Sequence, residues 1–428
     1  MNALLTDLYE LTMAAGYFSA GKQNEIATFE LSVRRLPPRR DFILVAGLQQ
    51  ALEYLSDLRF DSDEIAYVRG LPQFANAPPD FFEYLSDFRF TGNVFAVPDG
   101  TPVFAGEPIM TVKAPLIEAQ IPETYLLSII TFQTLIATKA SLVVSAAQGR
   151  DVYEFGTRRA HSPEAGVLGA RASYIGGCAA TSNTLAGYRY GIPVVGTAAH
   201  SWIMSFDSEL EAFHELQKFL GPDTVQLIDT YDTIEGARKV ISLGEPLLAV
   251  RIDSGDFVSL TREVRSILDA AGMQHVKIML SGDLNEDRIR RLLADGAPVD
   301  SFGVGTELAT SADAPSMAAI YKIVELESNG VMRATAKYSP EKTSLPGAKQ
   351  VFRYPDHDLV ACSGECACGA EALQKPVMVH GQIISRRTAE QSRERARKQM
   401  AAIDLKDHTV EYSPELQKLS RKVREQTQ

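Results

Sequence analysis

Between about residues 150 and 325, short apolar runs alternate with polar, helix-patterned segments. This alternation constrains the fold of the 428-residue chain more than any other feature. The runs are VYEF (152–155), IPVVGT (192–197), VQLIDT (225–230), LLAVRIDSG (247–255), VKIMLSG (276–282) and VDSFGVGT (299–306), and the helical segments include 209–219, 234–243, 260–271 and 286–295. Strands that recur with helices between them predict parallel βα units. Most of the runs end in Gly, Asp, Ser or Thr. An α/β barrel or open parallel sheet carries its chemistry at those C-terminal strand ends.

The flanks follow other patterns. Residues 4–18 read as an amphipathic helix with Leu4, Leu8, Leu11 and Ala15 on one face. Residues 28–34 alternate like a strand until Pro37-Pro38 breaks it. EYLSDLRF (53–60) is echoed by EYLSDFRF (83–90), each read as a helix end turning into an extended segment. Residues 93–113 read as short strands joined by turns at Pro98-Asp99-Gly100 and Gly106-Glu107-Pro108. A long apolar helix is predicted from Pro122 to about Ala147. Past 330 the alternation stops, and 386–402 read as an exposed charged helix whose charges are solvated.

Composition narrows the function classes. Hydrophobic residues make up 45% and charged residues 23%, enough apolar content for a sizeable core, which excludes disorder as the main state. Net charge is 43 − 54 = −11. An acidic chain is a poor partner for nucleic acid or an anionic membrane, although a small cationic pocket can sit inside a negative envelope. No apolar run of about 18 residues is read, so no transmembrane helix is expected. The N-terminus lacks a basic segment, and Asp7 and Glu10 interrupt its apolar run, unlike a signal peptide. Four cysteines in so long a chain make no disulfide scaffold. A cytoplasmic mixed α/β enzyme is expected.

The residues able to carry chemistry lie on the predicted strand ends. Arg158 and Arg159 follow Phe155-Gly156. Guanidinium forks match a carboxylate or phosphate, and they equally suit a surface ion-pair network. His200 lies in GTAAHSW beside the single tryptophan, Trp202. A histidine at a strand end serves structure or catalysis. Arg251, Asp253 and Asp256 fall in RIDSGD, where carboxylates at i and i+3 suit sugar hydroxyls or Mg²⁺ through water, or form a capped turn. Ser281-Gly282-Asp283 and Gly303-Val304-Gly305-Thr306 each end a strand before a helix, and backbone N–H groups in such turns bind phosphate. The set reads as a site for an anionic phosphosugar, suited to glycosyl transfer at an activated anomeric carbon.

Seven segments, in order over about residues 6–310, resemble the nicotinate phosphoribosyltransferases. They are TDLYELTM (6–13), FTGNVFAVPDGTPVFAGEPIMTV (90–112), EFGTRRA (154–160), TSNTLAG (181–187), GTAAHSW (196–202), RIDSGD (251–256) and FGVGTEL (302–308). The resemblance implies an irregular α/β barrel of the type II phosphoribosyltransferase kind over 121–330. An α/β sandwich domain accompanies it, formed from the N-terminal segment 1–120 and the C-terminal segment 331–428. It implies that nicotinate and phosphoribosyl pyrophosphate give nicotinate mononucleotide and pyrophosphate, in NAD salvage. Mg²⁺ would sit on the pyrophosphate, and ATP hydrolysis would be coupled through a phosphohistidine. It also implies a homodimer with shared active sites.

Carried over by motif, Tyr9 of a neighbouring subunit and Phe155 would sandwich the pyridine ring. Arg158 and Arg159 would contact the nicotinate carboxylate or phosphates, and His200 would be the phosphorylated residue. Arg251 and Asp253 would hold base and ribose. Gly282, Asp283, Gly303, Gly305 and Thr306 would bind the 5′-phosphate, and Lys139 the pyrophosphate. Nicotinamide-using relatives carry an acid in the segment matching 181–187; here Thr181-Ser182-Asn183 stands, which would not repel a substrate carboxylate.

Cys362, Cys366 and Cys368 crowd together, and close thiolates suit a structural Zn²⁺ with His357 or His380 as fourth ligand. The alternative is three reduced thiols in a loop. Cys178 reads as a buried structural thiol. The competing functions are transfer to nicotinamide or quinolinate, a non-catalytic phosphosugar-binding barrel, and a phosphosugar isomerase or aldolase.

Overall fold

A computed structural model describes residues 3–328, 330–339 and 343–427. The chain divides into two compact units, 1–135 with 316–428, and 136–315. The sequence places these edges at 120/121 and 330/331. The difference has two local causes. Helix Glu123–Ala146 runs unbroken through the first edge, and strand Ala319–Ser328 pairs with Ile26–Val33, joining the unit that holds the N-terminus.

In the first unit a seven-stranded antiparallel sheet interleaves both ends of the chain. Its order is Val331–Ala334, Ala319–Ser328, Ile26–Val33, Pro108–Pro115, Asn93–Ala96, Lys375–Val379 and Gln382–Ile383. The strand Ile26–Val33 is buried along nearly all its length, so its one acid, Glu30, needs a partner, and Lys349 supplies it at 2.7 Å. The repeated EYLSD segments close helices Leu48–Asp57 and Pro79–Ser86, and the aromatic residues that follow meet, Phe60 edge-on to Phe88 at 5.6 Å. The charged helix forms at Ala389–Ala402 behind a capping box of Thr388 and Gln391.

The second unit is the parallel βα array. Its six-stranded sheet has the order Ala180–Thr181, Asp151–Glu154, Ser301–Val304, Lys277–Ser281, Ala249–Ile252, Val225–Leu227, with every pairing parallel. Helices Glu209–Leu220, Thr233–Leu243, Phe257–Ala270 and Glu286–Ala294 pack around it. Ser208, Asp232 and Asn285 cap three of them by accepting backbone N–H bonds at their N-termini. Val152, Val250, Ile252, Ile278, Phe302 and Val304 from the strands join Phe213, Val264, Leu268 and Ile289 from the helices in one buried core. One expected strand is absent: 192–197 makes only a single bridge, Val194 to Thr181, and Ala180–Thr181 takes the sheet position.

The expectation of no span-length apolar stretch is corrected. Leu116–Ala146, 31 residues with mean hydropathy 1.6, is long and apolar enough to cross a membrane. Its interruptions are mostly uncharged Thr, Ser and Gln, which lower hydropathy little. Two-thirds of its most apolar window (67%) is buried within the protein, as in a core helix.

Candidate active site

The strand ends of the second unit open into a cavity of about 660 Å³. Phe155, Arg158, Arg159, Ser182, His200, Arg251, Asp253, Gly282, Asp283, Gly303, Gly305 and Thr306 line it, so most of the expected site residues converge. A cavity of about 770 Å³ in the first unit is lined by Arg34, Arg35, Lys322 and Lys349 among others. It lacks strand ends of the parallel sheet and the histidine.

Arg251 is the hub of the site. Its Nη2 donates to Asp253 Oδ1 at 2.6 Å, Nε to Ser281 Oγ at 2.8 Å and Nη1 to Thr197 Oγ1 at 2.7 Å. Two strand ends and the 192–197 segment are thereby tied to one planar cation. The guanidinium also lies 5.8 Å from the centre of the Phe155 ring, within cation–π range. Burial pushes the Asp253 carboxyl up, but the Ser281 hydroxyl and the Arg251 guanidinium outweigh it and hold it below the ordinary carboxylate range. Asp253 therefore stands as an anion facing the cavity at neutral pH.

Two glycines are sterically required. Gly282 has φ +90°, and a Cβ there would meet the Asp253 carbonyl oxygen at 2.1 Å. A Cβ at Gly303 would meet the Phe155 ring at 2.6 Å, so this glycine leaves room for the aromatic wall. Phe155 and the turn after it are further fixed by buried Glu154. Its carboxylate accepts from the Gly156 N–H and, at 2.5 Å, from the Thr181 hydroxyl.

Sequence reasoning missed two residues here. His200 Nδ1 lies 3.0 Å from Thr230 Oγ1, which leaves Nε2 as the open ring nitrogen. Asp229 Oδ2 accepts from the Asp253 N–H at 2.9 Å and the Ser254 hydroxyl at 2.8 Å, holding the RIDSGD turn. Both close the VQLIDT run, and their place at a strand end was the available signal.

Several expected site residues go elsewhere. Of Thr181-Ser182-Asn183, only Ser182 faces the cavity. Thr181 is spent on Glu154, and Asn183 caps helix Thr184–Tyr190 while reaching Thr157 Oγ1. Lys139 is outside the cavity lining; its ammonium is buried against Glu286, Asp313 and Glu307. Tyr9 belongs to the first unit and is half exposed, and burial drives its phenol pKa upward. Arg158 and Arg159 are exposed at the cavity and form no ion pair among the described residues, so the surface-network alternative does not describe them.

The expected zinc ligands are not drawn together. Among the described residues, no three His, Cys, Asp or Glu side chains stand close enough to hold a metal ion. Cys366 and Cys368 point to solvent, and Cys362 belongs to a strand whose next turn is closed by Glu365, which accepts the Cys362 N–H at 2.7 Å. His357 turns to Asp356 and stacks on Tyr354, and the His380 backbone is tied to Asn93. Cys178 is buried, as expected.

Comparison with known proteins places this geometry. Residues 4–131 match the nicotinate phosphoribosyltransferase N-terminal domain, and residues 151–344 match the nicotinate phosphoribosyltransferase family proper. The chain is 44% identical over 416 residues to a nicotinate phosphoribosyltransferase of Mycobacterium tuberculosis, covering 94% of this chain and 88% of that one. It is 43% identical over 360 residues to that of Bacillus subtilis, covering 82% and 73%. The crystal structure of human nicotinic acid phosphoribosyltransferase superposes with TM-score 0.82 at 25% identity, over 98% of this chain and 99% of that one. With both of its units matched and relatives this similar over most of its length, the chain belongs to the nicotinate phosphoribosyltransferase family.

Proposed function

We propose that this chain joins the ring nitrogen of nicotinate to C1 of phosphoribosyl pyrophosphate, releasing pyrophosphate and forming nicotinate mononucleotide for NAD salvage. The observation that carries the reading is the single cavity in which an aromatic wall, two unpaired arginines, an Arg–Asp pair and two Gly-rich turns meet. Each part matches one part of the substrates. Phe155 offers a face to the pyridine ring. Arg158 and Arg159 suit the nicotinate carboxylate. Gly282, Asp283, Gly303, Gly305 and Thr306 form the turns that would cradle the 5′-phosphate through backbone N–H groups. Arg251 and Asp253 would fix the base and ribose.

Bond breaking at C1 leaves an oxocarbenium-like sugar. Anionic Asp253, fixed by Arg251 and Ser281, favours that developing positive charge. Alignment of the ring nitrogen with C1 by Phe155 and the arginines supplies the proximity term. Magnesium fits the oxygen donors of Asp253 and Asp283 at the cavity and, when bound, would neutralise the departing pyrophosphate.

ATP coupling belongs to the same proposal. His200 Nε2 would attack the γ-phosphorus of ATP, forming an N–P bond as the bond to ADP breaks; water later cleaves the phosphohistidine to phosphate. The Thr230 contact at Nδ1 supports Nε2 as the nucleophile. A homodimer in which the partner's Tyr9 completes the pyridine sandwich is supported by exposed apolar side chains at Leu5, Leu8 and Tyr9 in the first unit and Leu185, Tyr188 and Met204 in the second. A cytoplasmic location accords with these soluble substrates.

Neutral Ser182 in the cavity supports nicotinate over nicotinamide. The test is one incubation with phosphoribosyl pyrophosphate, Mg²⁺ and equal nicotinate, nicotinamide and quinolinate, with and without ATP, read by mass spectrometry. Nicotinate mononucleotide as the main product, increased by ATP, supports the proposal. Predominant nicotinamide mononucleotide or no mononucleotide refutes it, and an ATP response that survives in His200→Ala removes the phosphohistidine step.

A further inference from the structure

We propose that Lys139 is a positioning residue for phosphoribosyl pyrophosphate: its buried ammonium fastens together the segments that follow the two phosphate turns. Lys139 lies on helix Glu123–Ala146 with its side chain 1% exposed. Its Nζ is 2.6 Å from Glu286 Oε2, 2.9 Å from Asp313 Oδ1 and 3.7 Å from Glu307 Oε2. Glu286 opens helix Glu286–Ala294, directly after the Gly282-Asp283 turn, and Glu307 follows Thr306. The residues of both turns line the cavity, while Lys139 does not.

One buried ammonium facing three carboxylates is more than a charge pair needs. An ammonium taken out of water requires one close opposite charge, and Glu286 at 2.6 Å provides it. The second and third carboxylates come from the stretch after the other turn. The cation therefore acts between chain segments as well as balancing charge. Without it, three carboxylates would repel one another across the two turns and add negative potential behind a phosphate site. The turn that carries Arg158 and Arg159, which would hold the nicotinate carboxylate, is tied instead through Glu154, Thr181 and Asn183, while the Phe155 N–H donates to the Val304 carbonyl at 2.8 Å. Loss of Lys139 should thus act on one substrate and spare the other.

This inference rests on the reading that the cavity binds phosphoribosyl pyrophosphate. The experiment is steady-state kinetics and calorimetric binding of phosphoribosyl pyrophosphate with Mg²⁺ and of nicotinate, using the full chain and Lys139→Met. The variant should raise the KM and Kd for phosphoribosyl pyrophosphate about tenfold or more, while those for nicotinate move less than about threefold. Because Lys139→Met strands buried carboxylates, Lys139→Gln/Glu286→Gln, a neutral pair able to hydrogen-bond, carries the same test if the single variant does not fold. Unchanged phosphoribosyl pyrophosphate binding, equal losses for both substrates, or failure of both variants to fold would overturn the positioning role. Wild-type protein that does not bind phosphoribosyl pyrophosphate would instead overturn the reading beneath it.

Discussion

In the first unit, Arg353 pairs with Asp358 at 2.5 Å with 6% and 0% of the two side chains exposed, and Arg353 also donates to the Pro102 carbonyl. In the second, Arg251 pairs with Asp253 at 2.6 Å with 12% and 29% exposed, at the edge of a cavity. The local chemistry is nearly the same, and the surroundings separate the roles. Around Asp358, His408 stands at 3.0 Å and buried Glu107 is driven well above the carboxylate range, by burial first and by the neighbouring Asp358 second. Arg353 spends its donors on Asp358, Gln399 and the Pro102 carbonyl, so the pair fastens sheets. Around Asp253 the carboxylate stays ionised with a face open to ligand. An ion pair closed on all sides is a structural clamp, and one left open at strand ends is a binding group.

The comparison breaks if the two pairs respond alike. The largest expected effect is at the closed pair. Arg353→Met leaves Asp358 buried without its main partner and should cost about 3–5 kcal/mol of stability in urea unfolding. Unfolding within about 1 kcal/mol of wild type would show that the pair is no clamp. Asp253→Asn should lower kcat/KM for nicotinate mononucleotide formation by about 10²–10³-fold while leaving the urea midpoint nearly unchanged. A large stability loss there would merge the two classes.

A smaller effect is expected at Glu10, a buried acid of the first unit pushed up to about 7, chiefly by burial, with Gln120 Nε2 donating to it at 2.5 Å. Its folded-state value lies above the unfolded one, so the stability it contributes is full below the unfolded value near ~4.3 and is lost as pH rises through about 7. Glu10→Gln should accordingly stabilise the chain by about 2 kcal/mol at pH 8 and by almost nothing at pH 4. Equal effects at both values would contradict the burial argument. The smallest effect is one of specificity. Ser182→Asp should raise the KM for nicotinate about tenfold through like-charge repulsion and leave that for phosphoribosyl pyrophosphate within about twofold. A matching rise for both would mean the side chain distorts the cavity rather than reading the ring substituent.

The two units also differ in how far sequence alone reveals them. Five of the six parallel strands and their helices follow from local periodicity, because each buried strand is an apolar run bounded by polar helices. The sixth was misplaced: IPVVGT has the composition of a strand, yet Pro193 and Val194 are exposed and one bridge is all that forms. The first unit's sheet joins residues hundreds of positions apart, such as Glu30 with Lys349, and no local pattern announces such pairs. The same reason explains Lys139. A lysine in ATKAS reads as a free cation until the fold brings Glu286, Glu307 and Asp313 to it from more than a hundred residues away. Thiol spacing in 362–368 suits a metal site in one dimension, but among the described residues the fold groups no three candidate ligands there. Arg251, Asp253 and the Gly-rich turns were readable because strand C-terminal ends gather in space wherever parallel strands do, whereas His200 reaches the cavity from the start of helix His200–Met204, after a run that forms no strand.

The most direct test of the account compares initial rates of nicotinate mononucleotide formation for wild type, Asp253→Asn and Arg353→Met. They are measured with saturating phosphoribosyl pyrophosphate and Mg²⁺ and normalised to the folded fraction of each protein. The account predicts that folded Arg353→Met keeps at least about half of the wild-type rate while folded Asp253→Asn falls at least about 100-fold. Equal losses in the two folded variants, or an Asp253→Asn protein as active as wild type, would contradict it.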